Sequence, residues 1–397
     1  MFSFNFYSSL LLPAFFQGII FTVLLLIRWL KEKSLKDFWL AVLILLASIR
    51  VSYWMLGFAG WYDMHDARTV FMFYFPFSTL IVLGPSLYLY FLYLTNANYQ
   101  LQKKDYLHLG VIFAWIMFST IKALVDWLFY YPFPVTNETQ FGCKGPISDW
   151  DKGYFFTILS YVVFAYYVYV LQKNYREYKK YLIQNFSAIE DIQFQWLIHL
   201  IVTISAIVAM FLVFEILSLF GYSNTYKMQW IPFFFSGIMI YYVSIKGYFT
   251  HSRQIERLSF SIPSPEIAEN TENRVEIPTP SSEELVKWKE KISLLMQEKT
   301  PYLNPELTLS ELAKLLQTNT SLLSKMINEG FQQNFNDFIN QYRLEAFVER
   351  LKNGEHKTQT LLSLAYDCGF NSKTTFNRAF KKAFSQAPKD FLETMNQ

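Results

Sequence analysis

The chain has 397 residues, of which 52% are hydrophobic, 19% aromatic and only 17% charged. That balance excludes an ordinary soluble protein of this length, so part of the chain must lie in lipid. A formal net charge of +3 excludes a global basic field, so any affinity for nucleic acid has to come from local clusters.

Seven apolar stretches come first, at about 8–30, 38–58, 70–95, 107–130, 154–171, 194–220 and 228–249. Each is near or above the ~20 residues that carry a helix across a bilayer core. The first is too long, and lacks the flanks, for a cleaved signal peptide. Arg28, Lys31, Lys33 and Lys36 follow the first stretch, Lys103 and Lys104 the third, Lys173, Arg176, Lys179 and Lys180 the fifth, and Arg253 and Arg257 the last. The alternate loops carry only Arg68, Lys144, Lys152 and Lys227. The positive-inside rule therefore expects the N-terminus outside and the C-terminus in the cytoplasm. Cys143 and Cys368 then fall on opposite sides, and no disulfide framework follows.

Trp29, Tyr53, Trp54, Trp127, Tyr130, Tyr131 and Tyr248 at the segment ends read as an interfacial belt. Arg50, Lys122, Asp126 and Glu215 are charges inside the apolar stretches, toward the expected outer ends of the second, fourth and sixth. Such groups are costly in lipid and face a bundle interior or a wet cavity. Two readings stay open: ion pairs that join helices, Lys122 and Asp126 being i,i+4 neighbours, or a polar sensor pocket for an extracytoplasmic signal. The longest outer loop, 132–153, has the length of a lid.

Composition shifts at 251–282 to Ser, Pro, Glu, Asn and Thr, which reads as a flexible linker. An amphipathic helix is expected over 283–300, since Ser281 and Glu284 have capping-box spacing and Leu285, Trp288, Ile292, Leu295 and Met296 form a stripe. It either packs on the domain that follows or pairs two copies of the chain.

The remainder, 301–397, repeats one grammar. Thr308 and Glu311 open a helix with Leu309, Leu312, Ala313 and Leu316 on one face. Gln317 to Asn319 make a turn, and a second helix from Thr320 buries Leu323, Met326 and Ile327. A connecting helix from Phe335 to Leu351 leads to the second unit, in which Leu361, Leu362, Leu364 and Ala365 form a short helix and Gly369 suits a left-handed turn. A final helix follows with Phe376, Ala379, Phe380, Ala383 and Phe384 on one side and Lys373, Thr374, Asn377, Arg378 and Lys381 on the other. Helix, turn and polar-faced helix is a helix-turn-helix, whose second helix fits the major groove. The expected fold is all-α: a polytopic seven-helix transmembrane bundle over 1–250 and a double helix-turn-helix domain.

The C-terminal segment resembles the AraC/XylS family DNA-binding domain. The resemblance rests on the run Leu309-Ser310-Glu311-Leu312-Ala313, on Leu364-Ala365-Tyr366-Asp367-Cys368-Gly369-Phe370 with Phe376, Arg378, Phe380, Lys381 and Lys382, and on Pro388-Lys389-Asp390-Phe391. Ser385 stands where the family usually has Gly, and Leu392 where an Arg is common. The resemblance covers about the last quarter of the chain and implies sequence-specific transcription control. Base-edge or nearby contacts are then expected from Thr320, Ser321, Ser324 and Lys325 in the first unit and from Asn371, Ser372, Lys373, Thr374 and Asn377 in the second. Arg378, Lys381 and Lys382 are expected to clamp phosphates.

No phosphate loop, nucleophile elbow or His/Cys ligand spacing is present, and the five histidines are scattered. Neither an enzyme, a metal nor a cofactor is expected. The expected function is a one-component regulator in the inner (plasma) membrane. Its partners would be double-stranded DNA, the lipid bilayer, a second copy of the chain, RNA polymerase if it activates, and a small-molecule or membrane signal. The alternative is a membrane receptor or transporter whose C-terminal domain only binds other proteins.

Overall fold

A computed structural model of the chain describes residues 2–61, 67–131, 145–148, 150, 154–190, 192–221, 226–249, 258–262 and 281–395. The regular elements among them are helical, and the chain forms two compact units: Met1–Lys173 with Gln195–Ser259, and Asn174–Phe194 with Phe260–Gln397.

Among the described residues eight α-helices contribute to the first unit: α1 (Phe6–Glu32), α2 (Leu35–Phe58), α3 (Ala67–Tyr74), α4 (Leu80–Thr95), α5 (Tyr106–Tyr130), α6 (Tyr154–Asn185), α7 (Gln195–Leu219) and α8 (Tyr226–Tyr248). Six of them, α1, α2, α5, α6, α7 and α8, are long and apolar enough to cross a membrane. The third expected stretch, 70–95, is not one helix. The chain breaks between α3 and α4, and Pro76, which has no N–H to give and disfavours the helical region at Phe75, falls in that break. The 16-residue α4 is buried over almost its whole length.

In this unit α1 packs on α2 and α8, α2 on α4 and α8, α4 on α5, and α7 on α8. Gly18 sits where α1 crosses α2, and a Cβ there would overlap the Ser48 hydroxyl. Small residues at such crossings let backbones approach where lipid offers no hydrophobic drive. Arg28 grips Asp37 with two nitrogens, Nε at 2.9 Å and Nη2 at 2.5 Å, and donates from Nη1 to Tyr248 O at 2.7 Å. That charge thereby ties α1 to α2 and to the end of α8. With 32 residues, α6 runs about 48 Å, well beyond the ~30 Å of a hydrocarbon core.

The second unit contains α9 (Ser282–Lys299), α10 (Leu309–Leu315), α11 (Thr320–Phe331), α12 (Phe335–Lys352), α13 (Leu361–Asp367), α14 (Lys373–Phe384) and α15 (Pro388–Met395). Both capping boxes exist: Ser281 Oγ accepts from Glu284 N at 3.2 Å, and Thr308 Oγ1 from Glu311 N at 3.2 Å. Of the two readings of α9, packing is the one seen. Ile292 and Met296 join Leu312, Leu323, Met326, Ile327, Phe338 and Ile339 in one core, and Lys291 Nζ donates to Leu316 O at 3.0 Å. The expected linker 251–282 lies outside the described residues except for 258–262 and 281–282.

A second core gathers Leu344, Phe347, Leu351, Leu364, Ala365, Phe370, Phe376 and Phe380. Phe380 has ring contacts with Phe347, Phe376, Phe384 and Phe391 at centroid separations of 4.6–5.8 Å. Helix α12 feeds both cores, with Phe338 and Ile339 in one and Phe347 and Leu351 in the other.

Ser385, the departure from family glycine, has φ 58° and is left-handed, which costs an L-residue roughly 1 kcal/mol. Cys368 is fully buried, and burial pushes its thiol up to about 11, so almost no thiolate exists near neutrality. In a Cys143→Ser background, iodoacetamide should label Cys368 only through unfolding, and labelling at graded urea then reads the stability of the second core. By that measure Phe380→Ala should lose about 3–5 kcal/mol and Ser385→Gly should gain about 0.5–1 kcal/mol.

Candidate nucleic-acid interface

The first helix-turn-helix is α10, a turn and α11. Gln317 turns the chain at φ 54°, and Asn319 Oδ1 caps α11 by accepting from Leu322 N at 2.7 Å. Leu323, Met326 and Ile327 bury the inner side of α11. Thr320 and Ser321 are left exposed and Ser324 and Lys325 half-buried on the outer side. The Lys325 ammonium lies 4.0 Å from the Glu329 carboxylate, one turn on.

In the second, α13 starts from a Thr360 cap that accepts from Ser363 N at 3.1 Å. Gly369 turns at φ 91°, and a Cβ there would run into the backbone of Tyr302 and Leu303. Only glycine fits on both counts. Ser372 spends its side chain locally: Oγ accepts from Thr375 N at 3.1 Å and lies 2.8 Å from Thr375 Oγ1. Ser372 is thus the cap that fixes the start of α14.

The exposed side of α14 has two edges. Lys373, Asn377 and Lys381, spaced by four, line an open groove of about 380 Å³ together with Leu361, Pro388 and Lys389. Thr374, Arg378 and Lys382 form the other edge, where Arg378 Nη2 is 3.0 Å from Glu190 Oε1 and Lys382 Nζ is 2.7 Å from Asp337 Oδ2. Asn371 and Thr374 are exposed at the start of the helix. The face expected to touch DNA therefore carries cations along both edges, interleaved with the polar side chains of Asn377 and Thr374, a composition suited to phosphate as well as base-edge contacts.

Two participants escape a helical-wheel reading. Lys389 belongs to the next helix and joins the groove from beyond the left-handed Ser385; the signal for it is the Pro388-Lys389 start of that helix. Arg343 is the larger omission. Fully buried on α12, it donates from Nε to Tyr302 O and from Nη2 to Asn304 O, each at 2.8 Å, and from Nη2 to Ser187 Oγ at 3.1 Å. Burial pulls its pKa down to about 10, against the attraction of Glu190, and it remains charged at neutral pH.

The four intramembrane charges divide into two places. Arg50 and Glu215 line one cavity of about 260 Å³, walled by Tyr53, Trp54, Trp115, Tyr161 and Phe233. There the Arg50 guanidinium lies 4.7 Å from the Phe211 ring centroid and 5.7 Å from that of Phe233. Lys122 and Asp126 sit elsewhere: Lys122 Nζ donates to Phe73 O at 3.3 Å and Ser148 O at 3.2 Å, and Asp126 accepts from Tyr74 Oη at 2.8 Å and Ile147 N at 3.2 Å. This second pair fastens the 145–148 turn and the end of α3 to α5. Among the described residues no group of His, Cys, Asp and Glu could hold a metal ion.

A protein-family model described as helix-turn-helix domain matches residues 312–394. The C-terminal part of the chain is thus a helix-turn-helix domain of the AraC type, joined to several long apolar helices. No curated protein and no solved structure matches the chain.

The two roles assigned to α14 separate by their salt dependence. Lys381→Ala and Lys389→Ala should each weaken binding to every duplex and lower the slope of log K against log salt by about 0.9 for each phosphate no longer neutralised. Asn377→Ala should leave the slope alone and change which sequence is preferred in a selection from random duplexes.

Proposed function

We propose that the protein is a one-component transcription regulator in the inner membrane, which carries signal reception and DNA reading in a single chain. The reading is carried by one conjunction: two helix-turn-helix units on a shared stiff helix, in the same chain as six helices able to cross a bilayer. With the apolar α4 as a seventh crossing beside these six, the basic loops lie on one side of the bilayer and favour a cytoplasmic C-terminus, the compartment that holds DNA. Thr320, Ser321, Ser324 and Lys325 on one helix and Lys373, Thr374 and Asn377 on the other make the base-edge or nearby contacts. Asn371 leads into α14, Ser372 positions it, and Arg378, Lys381 and Lys382 hold phosphates.

The signal enters at the cavity of Arg50 and Glu215, whose aromatic walls and two opposite charges suit a small amphipathic molecule bearing a charged group. Lys122 and Asp126 act as structural support for that domain. The ligand alters DNA binding only through a difference in affinity between two arrangements of the helices.

Genome-wide mapping of the full-length protein on chromatin tests the first half of this. A short set of sites sharing a bipartite motif is the expected result, and immunoprecipitated DNA without enriched sites would point to a domain that binds protein instead. For the second half, Arg50→Gln should abolish the transcriptional response to the inducing condition while the bound sites remain those of the wild type. An unchanged response would remove Arg50 from the sensor.

A further inference from the structure

The segment that joins α6 to α7 is bound along one face of α12. Ser187 N donates to Leu307 O at 3.1 Å, and Phe186 forms an antiparallel bridge with Thr308. Asn336 Nδ2 donates to Phe186 O at 3.2 Å and Ser187 O at 2.9 Å, and Arg343 Nη2 to Ser187 Oγ at 3.1 Å. Asn336, Asn340 and Arg343 recur at i, i+4 and i+7, so they share one side of the helix, and none is more than 5% exposed. A buried polar stripe is costly unless its donors are satisfied. Here residues 186–187 satisfy part of it, which marks the stripe as a receptor for this segment.

Three residues past Ser187, Glu190 reaches α14. Its Oε1 is 3.0 Å from Arg378 Nη2, with the carboxylate mostly shielded and the guanidinium half-exposed. A carboxylate at that distance occupies the position that a DNA phosphate oxygen would take. On the same edge Lys382 is held by Asp337 at 2.7 Å, whereas Lys373 and Lys381 face the open groove.

We propose that residues 186–190 form an intramolecular clamp: docked on α12, they set Glu190 on Arg378, so that clamp and DNA phosphate compete for one guanidinium. The inference rests on the reading of Arg378 as a phosphate contact. Because the segment directly joins two apolar helices, α6 and α7, a rearrangement of either is passed to the DNA-reading helix without crossing the 263–280 stretch. Receipt of a signal then means withdrawal of Glu190, which raises affinity for DNA without any new contact being built.

The test uses full-length protein in lipid nanodiscs and a fluorescent random-sequence duplex at low salt. Glu190→Gln should tighten binding by about two- to fivefold, the range for one partly exposed ion pair, while Glu177→Gln, at a half-buried carboxylate on α6 that pairs only with its neighbour Lys180 among the ion pairs described, should not. In an Arg378→Ala background the gain from Glu190→Gln should vanish. The clamp is overturned if Glu190→Gln binds like the wild type, or if its gain persists without Arg378, which would make it a general charge effect. A protein that binds no duplex, with Glu190 or without it, contradicts the DNA-binding reading itself.

Discussion

The helix-turn-helix domain of this chain depends on the sharing of α12 between two cores. Phe338 and Ile339 bury it in the first helix-turn-helix, Phe347 and Leu351 in the second. One uninterrupted helix of 18 residues spans about 27 Å, commensurate with the ~34 Å between successive major grooves on one side of a duplex. Two units tied by a loose loop could each find a half-site at any separation. Two units that own opposite ends of one helix cannot, and their α11 and α14 faces are presented at a fixed spacing and rotation.

The same helix has a third commitment that its apolar pattern hides. Between its two hydrophobic ends it buries Asn336, Asn340 and Arg343, and these bind the backbone and hydroxyl of Phe186 and Ser187. A chain whose only connection between lipid and DNA-binding parts is a polar linker transmits little mechanically. This chain has a further covalent route, since residues 174–194, the last part of α6 and its connection to α7, belong to the compact unit that contains the helix-turn-helix domain.

Much of the fold is legible in the sequence because its signals are local. Thr308 with Glu311 and Ser281 with Glu284 cap the helices their spacing announces, and Gly369 takes the left-handed turn that only glycine tolerates. What escapes depends on neighbours distant in sequence or on a single breaker. Pro76 splits one apolar run in two, because hydropathy sums over a window and is blind to a missing N–H. Ser372 reads from the sequence as a base contact, and the structure adds a local commitment, since its hydroxyl also caps α14. Arg343 looks like one more surface cation on an amphipathic helix until carbonyls from three other residues are seen to converge on it.

The intramembrane charges show the same limit. Arg50 and Glu215, 165 positions apart by their numbering, meet at one aromatic cavity, while Lys122 and Asp126 hydrogen-bond to the 145–148 turn. Position inside an apolar stretch singles out all four alike; only the three-dimensional arrangement sorts them. The fixed spacing imposed by α12 is tested most directly on the DNA side, where the protein is left untouched. Half-sites recovered by selection should lie about 10 base pairs apart, one helical turn, and moving them apart by about half a turn should abolish specific binding. Affinity that survives that insertion would contradict a rigid connection between the two reading helices.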